Sequence, residues 1–230
     1  MNPITFHQFL ETLSQESASV LNPELQPQDY VPINLSETNP QLHTFNVASS
    51  LAWEAFIQAH LNTHQAKVAY GGYLEQRNIY KRSGYFNPSS NNVERNIHLG
   101  VDFWLDAGEA IYAPLEATIH SFKNNTNYGD YGPTIILKHD MGQEVFYTLY
   151  GHLSMASIDG LTVGKTLKKG TPFATLGAAE VNGDYAPHLH FQIIRDMEGY
   201  QGDYPGVCSK KNLDKFAANC PDPNLLLKVY

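Results

Sequence analysis

Between residues 96 and 195 the chain divides into short runs rich in β-branched and aromatic residues: IHLGVDFWL, AIYAPLEATIHSF, GPTIILKH, EVFYTLYGHL, TPFATLG and HLHFQII. Gly, Pro, Asn and Asp separate them. Turn residues at this frequency fold the chain back on itself. The pattern predicts an antiparallel β domain over residues 81–200.

The flanks read differently. Residues 1–80 suggest a helical N-terminal segment. Phe6, Leu10 and Leu13 recur at helical spacing behind Thr5 and Gln8, a capping-box pair. SSLAWEAFIQAHLNTHQ predicts a second helix with Ser50 as its cap, Leu51, Ala55 and Ala59 on one face beside Phe56, and Gly71-Gly72 as its stop. Residues 201–230, rich in Gly, Pro, Asp and Lys, read as a loop-rich C-terminal extension packed on the core. The expected fold class is mainly β, an antiparallel sheet carrying these two additions.

Composition narrows the function. With 230 residues and 42% hydrophobic content, the chain can bury one sizeable core. A net charge of −8 without a Lys/Arg stripe excludes an electrostatically driven nucleic-acid binder. No apolar run reaches transmembrane length, and the N-terminus lacks the early basic residues and apolar stretch of an export signal. Cys208 and Cys220 form no CxxC pair. A bridge between them, worth on the order of 3 kcal/mol, and two free thiols are equally compatible with their positions.

Three motifs concentrate the chemistry. In PHLHFQII, side chains alternate along a strand, so His188 and His190 share a face while Leu189 and Phe191 anchor the other in the core. In IHLGVD, His98 and Asp102 share a strand face, and Gly100 clears the space between them. In LYGHLS, His152 follows Gly151 at a strand end. Each motif alone suits a structural or surface role as well as a functional one. Together they offer four imidazoles and a carboxylate, the ligand types that zinc prefers. His120 and His139 lie outside the motifs and read as structural or surface groups. The same holds for His7, His43, His60 and His64, although His60 and His64 share a helix face.

HLGVD, YGHLS and PHLHFQI in this order resemble the M23 family of zinc metallopeptidases, the lysostaphin- and LytM-like peptidoglycan endopeptidases. AGEAIYAPLEATI and VGKTLKKGTPFATLG resemble segments between the family's motifs. The likeness covers residues 80–195, about half of the chain. It implies an antiparallel β core, a Zn2+ cofactor, and His98, Asp102 and His190 as metal ligands. It implies His152 and His188 as catalytic histidines, with the choice of general base left open. Three ligands leave a fourth zinc position for a water whose pKa falls toward about 7. The implied substrate is a Gly- or D-Ala-containing peptide cross-bridge of peptidoglycan, which implies the cell envelope. The helical start and the missing export signal depart from a plain family domain. GGYLEQRNIYKRSGYF resembles M23-like domains fused to intracellular enzymes, which keeps open a cytoplasmic peptide hydrolase. A non-catalytic zinc-containing glycan-binding scaffold is the further alternative. That stretch carries Arg77, Tyr80, Arg82 and Tyr85 just before the first ligand motif, and of these Tyr80, Arg82 and Tyr85 read as packing residues. The N-terminal segment is also expected to be able to inhibit the site, by placing an Asn or Asp at the fourth zinc position.

Overall fold

The computed structural model describes residues 4–83, 94–142 and 144–230. Before the β domain lie α1 (Phe6–Leu13), β1 (Tyr30–Pro32), α2 (Ser50–His64) and β2 (Val68–Gly71). The β domain contains β3 (Ile97–His98), β4 (Val101–Trp104), β5 (Ala110–Tyr112), β6 (Ala117–Asn125), β7 (Gly132–Asp140) and β8 (Val145–Gly151). It continues with β9 (Thr166–Leu167), β10 (Pro172–Thr175) and β11 (His188–Ile194). The last part holds β12 (Val207–Cys208), α3 (Leu213–Asn219) and α4 (Asn224–Leu227).

Eight strands form one sheet in the order β1-β2-β4-β11-β8-β7-β6-β9. Only β1 and β2 pair in parallel; the rest of this sheet is antiparallel. Side-chain alternation divides the sheet into two faces. Val101, Phe103, Leu189, Phe191, Ile193, Ile135 and Leu137 fill one face, closed by Phe6 and Leu10 of α1. Full burial of each such side chain contributes roughly 1.5–3 kcal/mol. Asp102, His188, His190 and Gln192 alternate with these residues and so share the opposite face. Among the described residues, no helix is long and apolar enough to cross a membrane.

The N-terminal zone is less helical than its sequence suggests. The capping box on α1 is present, Thr5 exchanging bonds with Gln8. The cap of α2, however, is Ser49 rather than Ser50, and its buried face is Trp53, Ile57 and Leu61. Leu51 is 74% exposed. The expected Leu51–Ala55–Ala59 face therefore points outward, because the partner surface is the aromatic and aliphatic cluster around Trp53, Val31, Ile33 and Trp104. Nor does Gly71-Gly72 stop the helix. It ends at Gln65, in left-handed conformation, and Gly71 closes β2. Zone 1–80 thus contributes two strands to the main sheet, with β2 paired to β4. The C-terminal extension is less irregular than expected, since β12 pairs with β3 and α4 sends Leu226 into the core. Cys208 and Cys220 are free and buried.

Candidate metal centre

One row across four adjacent strands organises the site. Gly71 of β2 lies opposite Asp102 of β4, Asp102 opposite His190 of β11, and His190 opposite Gly151 of β8. The next row on this face pairs Trp104 with His188, whose rings stack at 5.6 Å. His98 arrives from outside the main sheet. IHLGVD was expected to be one strand, but β3 and β4 are separate, and the chain turns at Leu99-Gly100 between them. That turn swings His98 over Asp102. Gly100 gives the clearance: a Cβ there would lie 2.7 and 2.9 Å from atoms of the His190 ring.

His98 Nε2 lies 2.8 Å from His190 Nδ1 and 3.3 Å from Asp102 Oδ1, and His190 Nδ1 lies 3.1 Å from the same oxygen. The outer atoms decide what these contacts mean. His98 Nδ1 sits 2.9 Å from the Gly72 carbonyl, which only accepts, so Nδ1 carries the proton. His190 Nε2 sits 2.9 Å from Gln192 Oε1. The Gln192 amide is oriented by donating to the Pro205 carbonyl and Cys220 Sγ, so His190 donates to its oxygen. Both inner nitrogens are then bare lone pairs, facing each other and an anionic oxygen with no proton between them. Such a triangle is repulsive until a cation sits in it. Tetrahedral zinc with ligands at about 2.05 Å spaces them roughly 3.3 Å apart, close to the 3.3 and 3.1 Å separations from Asp102, with the 2.8 Å histidine pair tighter. The donor set therefore fits a zinc-sized divalent ion, and neutral imidazoles held by outer acceptors are the usual form of such ligands.

Two further imidazoles stand beside this triangle. His188 Nε2 is 3.9 Å from Asp102 Oδ1, and the His152 and His188 rings are 4.2 Å apart. His188 Nδ1 donates to the Ala186 carbonyl at 2.8 Å, and His152 Nδ1 to that of Asn182 at 2.7 Å. Each ring thus keeps an Nε2 lone pair for other chemistry. Asn182 is fixed by Gly177 and Tyr185, which makes its carbonyl a rigid anchor.

All five residues are at most 5% exposed, so this face of the sheet is covered. Leu35, Trp53 and Tyr80 on one side and Tyr200, Tyr204 and Pro205 on another wall a cavity of about 180 Å³. Burial holds three of these imidazoles neutral. It depresses His98 to about 4, with the Arg77 guanidinium adding to the effect, and lowers His188. His152 falls well below the usual range through burial and the neighbouring His188. Burial pushes the Asp102 carboxyl upward, but His98 and Arg77 beside it overcome this and hold it well below the carboxylate range.

The five residues singled out in the sequence thus meet at one place. Among the described residues they supply the one His/Asp cluster of metal-binding geometry, His98, Asp102 and His190. His139 is buried in the sheet and His120 bonds Ser121, away from the cavity. His60 reaches the Pro32 carbonyl and His64 that of its own helix. The N-terminal residues lining the cavity are Leu35, Trp53, Arg77, Ile79 and Tyr80; no described Asn or Asp of that segment joins them, contrary to the inhibitory expectation. Arg82 packs between Tyr185 and Tyr128, whereas Tyr85 lies outside the described residues. Two contributors escaped sequence reasoning. Gln192 continues the alternation of His188 and His190, a signal that was available. Arg77, bonded to Asp102 at 2.6 Å, carried none.

Residues 96–202 match the family model for peptidase family M23. No curated protein matches the chain. Among solved structures, a Pseudomonas aeruginosa protein described as an M23 peptidase is 22% identical over 58% of this chain and 44% of its own (TM-score 0.39). A zinc-containing peptidase from Vibrio cholerae is 26% identical over 43% of this chain and 27% of its own (TM-score 0.34). The catalytic domain of lysostaphin from Staphylococcus simulans is 22% identical over 64% and 87% (TM-score 0.39). The chain spans less than half the length of the first two.

Proposed function

Through residues 96–202 the chain belongs to peptidase family M23, and on that premise we propose that it is a zinc-dependent endopeptidase acting on peptide cross-links of peptidoglycan. The observation that carries the reading is the triangle of His98 Nε2, Asp102 Oδ1 and His190 Nδ1, three proton-free donors at 2.8–3.3 Å. His98, Asp102 and His190 would hold the ion. When bound, zinc supplies Lewis acidity and a water whose pKa is lowered toward about 7.

The chain's own residues supply the proton handling. His188 and His152 are neutral and committed at Nδ1, so each enters the reaction as an acceptor at Nε2. His188 is the nearer to the ligand centre and takes up the first proton. Once protonated, either ring can donate to a developing oxyanion or to the departing amine. Their contact at 4.2 Å makes the pair a local store for one proton. Trp104 against His188 and Tyr185 against His152 keep bulk water away from both rings.

The cavity volume of about 180 Å³ favours a second reading, a hydrolase of short free peptides, because full ligand pockets run about 300–1,000 Å³. A murein substrate would place the protein in the cell envelope; a free-peptide substrate would suit the cytoplasm. Mass spectrometry of products from zinc-loaded protein, incubated with sacculi and separately with short peptides, separates the two. Soluble stem-peptide fragments are expected from sacculi. The His188→Ala variant should release none while retaining one zinc per chain, and loss of zinc from that variant would refute its role as a non-ligand.

A further inference from the structure

We propose that Arg77 is a positioning residue of this centre, holding Asp102 so that a single carboxylate oxygen faces the ion. The inference rests on reading His98, Asp102 and His190 as metal ligands, and it concerns a residue outside the segment matched to the family.

Arg77 Nη1 donates to Asp102 Oδ2 at 2.6 Å, the oxygen turned away from the two histidines, and Nε donates to Glu75 Oε2 at 2.7 Å. Glu75 is held in turn by the Leu35 amide, 2.8 Å from Oε1. The guanidinium side chain is 5% exposed and lies over the Trp104 ring at 5.8 Å. Its path is prepared by Gly72, whose φ is 103° and where a Cβ would overlap the guanidinium. The same glycine's carbonyl receives His98 Nδ1–H. One short segment therefore orients two of the three ligands.

A purely structural ion pair would be expected to dock that segment. The backbone already does so: Leu74 donates to the His98 carbonyl, His98 to that of Glu75, and Arg77 to that of Asn96. The guanidinium bond is additional to this ladder and goes to the ligand itself. With Oδ2 occupied, Asp102 offers only Oδ1, which keeps the coordination number low and leaves a position open for substrate chemistry. A charged donor at Oδ2 also draws electron density from the carboxylate, making the bound ion a stronger electrophile. Removing the guanidinium relieves its repulsion of the cation, but the freed carboxylate loses its fixed orientation, and the second effect dominates for outer partners of ligands.

Cobalt(II) is the probe, because its visible band is intense in four-coordinate sites and weak at higher coordination. The wild-type chain should take up one Co2+ and show the intense band. Arg77→Met should lose that intensity as Oδ2 joins the ion, and should bind zinc about tenfold more weakly in chelator competition. Arg77→Lys, which keeps a charged donor, should restore the band. An unchanged band and affinity in Arg77→Met, or a Lys variant that behaves like Met, would overturn the proposal. If Arg77→Met does not fold by circular dichroism, Arg77→Gln is read in the same way. Absence of Co2+ uptake by the wild type would instead refute the metal-site reading, and this inference with it.

Discussion

His152 has a φ of 63°, in the left-handed region that disfavours any residue with a Cβ. The turn that sets it is fixed on both sides, its amide bonding the Tyr131 carbonyl and its own carbonyl accepting from Gly177. Gly151 before it cannot be larger, because a Cβ there would lie 2.6 Å from the Tyr131 ring. A strained conformer held by its surroundings at a reactive position is a recurring feature of functional sites. Replacing His152 by Gly or by Ala should abolish turnover equally. The Gly variant should nevertheless be more stable than the Ala variant by about 1 kcal/mol in chemical denaturation, because only Ala retains the φ penalty. Equal stabilities would mean that the turn carries no strain. At this scale the sequence was legible where alternation applies: His188, His190 and the anchoring Leu189 and Phe191 follow from period two. The Arg77 contact was not, because nothing in a sequence relates a guanidinium to a carboxylate 25 positions later.

The short elements were the hardest to read. β1 has three residues and ends on Pro32, and β2 has four and runs into a glycine pair. Neither gives a window long enough for periodicity, and their pairing is tertiary: Ala69 lies opposite Trp104 and Gly71 opposite Asp102. The long strands β6, β7, β8 and β11 were legible because β-branched and aromatic residues extend through whole runs between turn residues. The strand break at Leu99-Gly100 was hidden because a glycine suits a strand interior and a turn equally. These facts change the expectation for truncation. Deleting residues 1–70 removes α2, β1 and most of β2, and takes Trp53, Ile57 and Leu61 out of the cluster that Trp104 belongs to. Each of those side chains is worth roughly 1.5–3 kcal/mol when buried. The truncated chain should show no cooperative unfolding transition and bind no zinc. A shortened protein that folds, takes up zinc and hydrolyses faster than the intact one would reinstate an inhibitory segment.

For the molecule as a whole, acid should unfold it partly through a histidine remote from the site. His139 is fully buried in β7, donating from Nδ1 to the Glu116 carbonyl at 3.0 Å and meeting the Thr148 hydroxyl at 2.8 Å through Nε2. Burial lowers it from 6.5 to about 4. Between those values the unfolded chain binds the proton and the folded one does not, so acidification favours unfolding. The contribution is complete above about pH 6.5 and is lost as pH falls toward 4, on the order of 3 kcal/mol in total. Urea denaturation across this window should show a steeper loss for wild type than for His139→Gln, whose amide can satisfy both partners without titrating. Identical pH profiles would exclude His139 as the origin. The strand that carries His98 has its own consequence at this scale. It is flanked by Gln76 on one side and by Val207 and Cys208 on the other. During translation His98, Asp102, His152, His188 and His190 all emerge before that second flank. On the proposed reading, the centre is expected to close only after residue 208 has left the ribosome, so that a half-made chain would not carry an armed centre.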